Sequence, residues 1–119
     1  GDLVLQHFAQ CLQENCRTYD YVGRYGGEEF IIGVPGAGLL ETTEIAERIR
    51  NMVQNTSIPL PGRDEVIKIT ASFGVDAVNL RNGNEYMAEE LINHADEALY
   101  LAKARGRNCS IIYSRADMQ

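Results

Sequence analysis

The sequence predicts an α+β domain, a mostly antiparallel central sheet flanked by helices. Three observations carry this reading. Apolar residues recur at helical spacing in three segments, they alternate with period two in others, and a glycine pair separates two short strand-like runs. With 119 residues, the chain can bury one core but not two, so a single domain is expected.

The first helix is read from Leu5, Phe8, Ala9, Leu12 and Cys16, which share one helical face, with Asp2 as its cap. Tyr21 to Tyr25 and Phe30 to Val34 are rich in aromatic and β-branched residues and flank Gly26-Gly27, a hairpin signal. Pro35, Gly36 and Gly38 break the second strand. Thr42 or Thr43 then starts a helix whose inner face is Ile45, Ile49, Met52 and Val53. Pro59, Pro61 and Gly62 mark a loop before a long half-buried strand, Val66 to Val78, in which Ile67, Ile69, Ala71, Phe73, Val75 and Ala77 alternate with more polar neighbours. A loop around Asn79 to Asn84 leads to a third helix with Leu91, Ala95, Ala98, Leu99 and Ala102 on one face and Gly106 as its C-terminal cap. Cys109 to Tyr113 reads as the last strand and Ser114 to Gln119 as a fraying tail. An opening helix whose apolar face needs a sheet suggests that a strand and a helix lie upstream, so residues 1–119 are read as a partial domain.

Composition narrows the function. No apolar run approaches the ~18 residues of a membrane span and no signal-peptide pattern opens the chain, so it reads as soluble. A net charge of -6 argues against a protein that coats nucleic acid, and any phosphate contact must be local. Cys11, Cys16 and Cys109 form no CxxC pair, and His7 and His94 lie far from them in sequence, so buried free thiols in a reducing cytoplasm are expected.

The chemistry concentrates at Gly26-Gly27-Glu28-Glu29. Two glycines permit positive φ and close approach of a ligand to the backbone, and two adjacent carboxylates offer hard oxygen ligands of the kind Mg²⁺ takes together with substrate phosphates. On a regular strand the two acids point to opposite faces, so they have different roles unless the turn gathers them. Taken alone, a glycine turn followed by solvated acids is the more ordinary reading.

The wider sequence changes the balance. Arg24-Tyr25-Gly26-Gly27-Glu28-Glu29-Phe30 resembles the glutamate form of the signature of the GGDEF family, the diguanylate cyclases with a palm-like nucleotidyl-cyclase fold. Gly1-Asp2-Leu3-Val4-Leu5 resembles the start of the family's second helix, and Thr70-Ala71-Ser72-Phe73-Gly74-Val75 its central strand. Asp96-Glu97-Ala98-Leu99-Tyr100-Leu101-Ala102-Lys103 with Gly106-Arg107-Asn108 resembles its terminal helix and exit. The four blocks occur in family order and cover nearly the whole chain.

The resemblance implies condensation of two GTP molecules into cyclic di-GMP with release of pyrophosphate, in the cytoplasm, by a homodimer in which each domain holds one GTP. Glu28 matches a ligand of Mg²⁺, for which Mn²⁺ can substitute, and Glu29 matches the acid near the attacking 3′-hydroxyl, so one or both hold metal. Gly26 and Gly27 match the backbone against the nucleotide, and Lys103 and Arg107 match cations that reach the triphosphate. Without the family, Lys103 and Arg107 read simply as basic residues complementing a helix dipole. Arg17-Thr18-Tyr19-Asp20 ends six residues before Gly26, the spacing of the family's RxxD product-inhibition site, and Arg48 matches a further arginine of that site. Arginine suits forked contacts with phosphate or a guanine edge, although a surface ion pair gives the same letters.

Departures from the family pattern are equally specific. A metal-ligating aspartate from the first strand and the guanine-recognising asparagine and aspartate of the following helix are not found in this sequence, so the segment by itself is expected to be catalytically impaired. A sensory or receiver domain, including a membrane-anchored one, is expected upstream. The alternatives are an inactive cyclic di-GMP receptor, which would not need both hairpin acids, and a dimerisation module, which leaves Glu28, Glu29, Lys103 and Arg107 without a shared purpose.

Overall fold

The computed structural model describes residues 2–17, 20–78 and 88–114. Helix α1 (Asp2–Asn15) is followed by the strands β1 (Tyr21–Gly26) and β2 (Glu29–Gly33), then by α2 (Leu39–Gln54). Three short strands come next, β3 (Ser57–Pro59), β4 (Val66–Lys68) and β5 (Phe73–Val75), before α3 (Ala88–Ala104) and β6 (Ser110–Ile112). The strands pair as β1 with β2 and β3 with β4, both antiparallel, and as β5 with β6, parallel. The parallel pair follows from connectivity, because a helical crossover returns the chain in the same direction whereas a hairpin reverses it. The α+β expectation, mostly antiparallel, holds.

The core lies between α1, α2 and the hairpin. Leu12, Ile45, Ile49, Val53 and Ala71 are buried, with Phe8, Val22, Phe30 and Ile32 packed against them. The rings of Phe8 and Phe30 meet with centroids 5.3 Å apart. Val22 and Ile32 are direct cross-strand partners, so one face of the hairpin is apolar and seats the two helices. On the other side of β5, Gly74 lets α3 approach: a Cβ there would collide with the Ala95 carbonyl oxygen and the Leu99 nitrogen. His94 ties the same helix to the chain just past β5 and β6, its ring stacked on Tyr113 at 3.9 Å and its Nδ1 2.9 Å from Asp76.

Four expectations need correction. The long strand Val66 to Val78 is two strands, β4 and β5, because the alternating run passes from one partner to another. Its first part pairs with β3, which the sequence reading missed, and its second part pairs with β6. Helix α2 starts at Leu39, ahead of Thr42 and Thr43, whose hydroxyls donate back to the carbonyls of Gly38 and Leu39 at 2.7 Å from within the first turn. Met52 is exposed, with its Sδ 3.0 Å from Asn15 Nδ2. The three cysteines are free, as expected, but half-buried rather than buried. The loop around Asn79 to Asn84, the tail beyond Ser114 and the Asp2 side chain lie outside the described residues.

Candidate active site

The hairpin tip is built by a bulge and a glycine. Pairing steps from Arg24 with Phe30 to Gly26 with Glu29, leaving Tyr25 as an extra residue on β1, and such a bulge increases local twist and re-aims the residues beyond it. Gly27 has φ +47, the left-handed region that a glycine enters without steric cost. Arg24 clamps this turn, since its Nε donates to the Gly27 carbonyl at 2.9 Å and Nη2 to the same oxygen. A Cβ at Gly26 or Gly27 would meet nothing within 4 Å, so bare backbone faces open space beside the two acids. Glu28 is exposed and Glu29 half-buried.

Helix α3 delivers the cations. Lys103 Nζ donates to Glu29 Oε1 at 3.2 Å, and the two side chains are 31% and 33% exposed. The helix closes through Arg107 N–H, which donates to the Ala102 carbonyl at 2.9 Å, with Gly106 at φ +110, as expected of a glycine C-terminal cap. Arg107 itself is exposed with φ +64. The structure therefore brings Glu29 and Lys103 together, with Glu28 one residue away on the hairpin and Arg107 four residues after Lys103, past the end of α3. Among the described residues, no three histidine, cysteine, aspartate or glutamate side chains converge as a metal cluster.

The second candidate site sits at the start of β1. Arg17 meets Asp20 through Nε at 3.1 Å and Nη2 at 3.0 Å, and its backbone N–H donates to Asp20 Oδ2 at 2.7 Å. Arg17 also donates to the Pro35 carbonyl at 3.2 Å and stands 3.7 Å from Glu41. The Asp20 side chain is 1% exposed and that of Arg17 33%, so the aspartate holds the arginine and the arginine faces outward. Hydrogen bonds from Arg17 keep the Asp20 carboxyl below its usual range. A groove of about 510 Å³ runs along Gln13, Cys16, Arg17, Asp20, Tyr21 and Val22. Burial and the nearby Asp20 charge push the Cys16 thiol up, which makes it a poor nucleophile. Exposed Arg48 donates to the Asn15 carbonyl at 2.9 Å, tied to the end of the helix that leads into this corner. Thr18 and Tyr19 lie outside the described residues.

Sequence reasoning missed a third cluster, formed by side chains of α2 and the chain after α3. Arg50 pairs in forked fashion with Glu47, Nε to Oε2 at 2.6 Å and Nη2 to Oε1 at 3.1 Å. Its remaining nitrogen, Nη1, reaches Asn108 at Oδ1 (3.1 Å) and at the backbone carbonyl (3.3 Å). Ser110 Oγ donates to Glu47 Oε2 at 2.7 Å, and Asn108 N–H donates to Ser72 Oγ at 3.0 Å. Arg50 and Ser110 together hold the Glu47 carboxyl below its usual range. Glu47 and Arg50 look like ordinary helix charges in the sequence, and nothing local marks the partner of Arg50, 58 residues away.

The sequence matches the family described as diguanylate cyclase, GGDEF domain, over residues 1–109. It is 43% identical over 108 residues to the diguanylate cyclase DosC of Escherichia coli K12, a match that takes in 91% of this chain and 22% of the relative. The chain thus spans under a quarter of that curated relative's length. Among solved structures, it resembles the active GGEEF domain of a diguanylate cyclase from Vibrio cholerae at TM-score 0.77 and 32% identity, covering 96% of this chain and 69% of that one. It also resembles the GGDEF domain of DgcB from Caulobacter crescentus in complex with c-di-GMP at TM-score 0.84 and 26% identity, covering 94% and 64%. With a signature hairpin, a terminal helix that meets it through Lys103 and a family match over most of its length, the chain belongs to the GGDEF family of diguanylate cyclase domains.

Proposed function

We propose that residues 1–119 are the hairpin-bearing part of a diguanylate cyclase domain, whose whole protein condenses two GTP molecules into cyclic di-GMP. The observation that carries the reading is the contact between Glu29 and Lys103 at 3.2 Å. It joins a carboxylate suited to a metal to a cation suited to phosphate, beside open glycine backbone. In the structure the two charges offset each other. When GTP enters, Lys103 transfers to the triphosphate and Glu29 becomes available to its own partners, with Arg107 adding a second cation.

Two hard carboxylates in succession fit Mg²⁺, or Mn²⁺ in its place, with substrate phosphates and water as the remaining ligands. Bound there through Glu28 and Glu29, the ion would offset triphosphate charge. In the reaction, the 3′ oxygen of one GTP forms a bond to the α-phosphorus of the other as the bond to pyrophosphate breaks. Glu29 takes up the hydroxyl proton. A second such step, with the two nucleotides exchanging roles, closes the ring and releases the second pyrophosphate. One GTP per domain requires two domains face to face, so the active species is a homodimer in the cytoplasm, its geometry set by a sensory or receiver domain elsewhere in the protein.

The groove at Arg17 and Asp20, with Arg48, serves product inhibition. Arg17 is oriented there by Asp20 through Nε and Nη2 and is partly exposed, so cyclic di-GMP would meet a guanidinium already positioned. The test of the catalytic assignment is Glu29→Gln in the intact protein. Cyclic di-GMP synthesis falls by about 10²- to 10⁴-fold with the thermal transition retained. Synthesis near the wild-type rate would remove Glu29 from the mechanism.

A further inference from the structure

The cluster on α2 touches neither candidate site directly, yet it fixes the segment from which Arg107 projects. Three consecutive residues there, Gly106, Arg107 and Asn108, have φ of +110, +64 and +48. Glycine accepts such values freely, whereas an arginine in the left-handed region is held there only if its surroundings over-determine the turn. The contacts of Asn108 do so. Its side chain and carbonyl both accept from Arg50, and its N–H donates to Ser72 at the threshold of β5. Arg50 is in turn set by the forked pair with Glu47, which is braced by Ser110 at the start of β6. The Arg50 side chain is 17% exposed and that of Glu47 42%, so the guanidinium is largely shielded from water on the side that meets Asn108 while its carboxylate partner stays partly wet. A planar guanidinium can serve both partners at once, which a lysine ammonium on a flexible stem cannot do with the same geometry.

We propose that Arg50, oriented by Glu47, is a positioning residue for GTP. Through Asn108 it holds the left-handed turn at Arg107 and thereby sets where that guanidinium meets the triphosphate. The proposal rests on the reading of Arg107 as a phosphate-binding cation.

The test uses steady-state kinetics of the intact protein with Mg²⁺ and GTP, for Arg50→Met, Arg107→Ala and the double variant. Arg50→Met keeps the side-chain bulk while losing every hydrogen bond, and it lowers kcat/KM for GTP by about 10- to 100-fold, chiefly through KM. Arg50→Lys does not restore it. In the Arg107→Ala background, Arg50→Met adds less than about twofold, because its effect runs through the missing guanidinium. Ser110→Ala, which removes one brace from Glu47 and spares the fold, raises KM by a smaller factor, and it carries the test if Arg50→Met unfolds. Folded Arg50→Met and Ser110→Ala proteins with wild-type KM overturn the proposal, as does a full Arg50→Met effect on top of Arg107→Ala. If Arg107→Ala alone leaves KM unchanged, the phosphate-binding reading itself fails, and the proposal with it.

Discussion

The two ends of strand β1 carry the two candidate sites, and they are built in opposite ways. At the Tyr21 end, Asp20 is nearly inaccessible and bonded to both the guanidinium and the backbone of Arg17. At the Gly26 end, Glu28 is exposed, and the pair between Glu29 and Lys103 is about one-third exposed on each side. The difference suits the two tasks proposed for them. A product-binding pocket would gain affinity from a guanidinium already oriented, since little freedom is lost on binding. A catalytic tip would have to exchange partners on every turnover, and a weak, wet ion pair exchanges readily.

The larger effect is expected at the fixed end. Asp20→Asn replaces a charge-assisted set of hydrogen bonds inside an almost closed environment and costs about 1–3 kcal/mol of stability at neutral pH. Because the folded carboxyl sits below its ordinary value of 3.8, its contribution is complete above that value. It is lost as pH falls through the lower folded value. Urea denaturation at neutral pH and at successively lower pH below 3.8 checks this: the gap between wild type and Asp20→Asn narrows on acidification. A gap that stays the same throughout would show that Asp20 acts through shape alone.

The smaller effect belongs to the tip. Lys103→Met changes stability by less than about 1 kcal/mol, because both partners are solvated and salt screens them, while it raises KM for GTP. The same denaturation series read beside GTP kinetics tests the contrast. If Lys103→Met destabilises more than Asp20→Asn, the tip is a structural tie and the comparison collapses.

Legibility in the sequence depended on range. The hairpin, its glycine turn and the cap at Gly106 are decided by residues adjacent in the chain, and each stands where the spacing placed it. Arg17 and Asp20, singled out by the RxxD spacing, stand on the wall of a groove. The further contacts of Arg17 were not legible, because Pro35 and Glu41 arrive from beyond the hairpin. Strand β3 was missed because Ser57, Ile58 and Pro59 carry too little pattern in three residues. The split of the Val66 to Val78 run was hidden for another reason, since alternation reports a buried face and not the identity of the partner strand. Gly74 did carry a signal, as glycine inside a strand marks close approach of another backbone, and here that backbone is α3. The cluster of Glu47, Arg50 and Asn108 had none, since its members meet only after α2 and β6 have packed.

The most direct measurement is chromatographic analysis of GTP and Mg²⁺ incubated with the intact protein held as a dimer. Cyclic di-GMP together with two equivalents of pyrophosphate is the expected product. GTP surviving unchanged in the dimer would contradict it, and would leave binding of cyclic di-GMP at Arg17 and Asp20 as the activity of the domain.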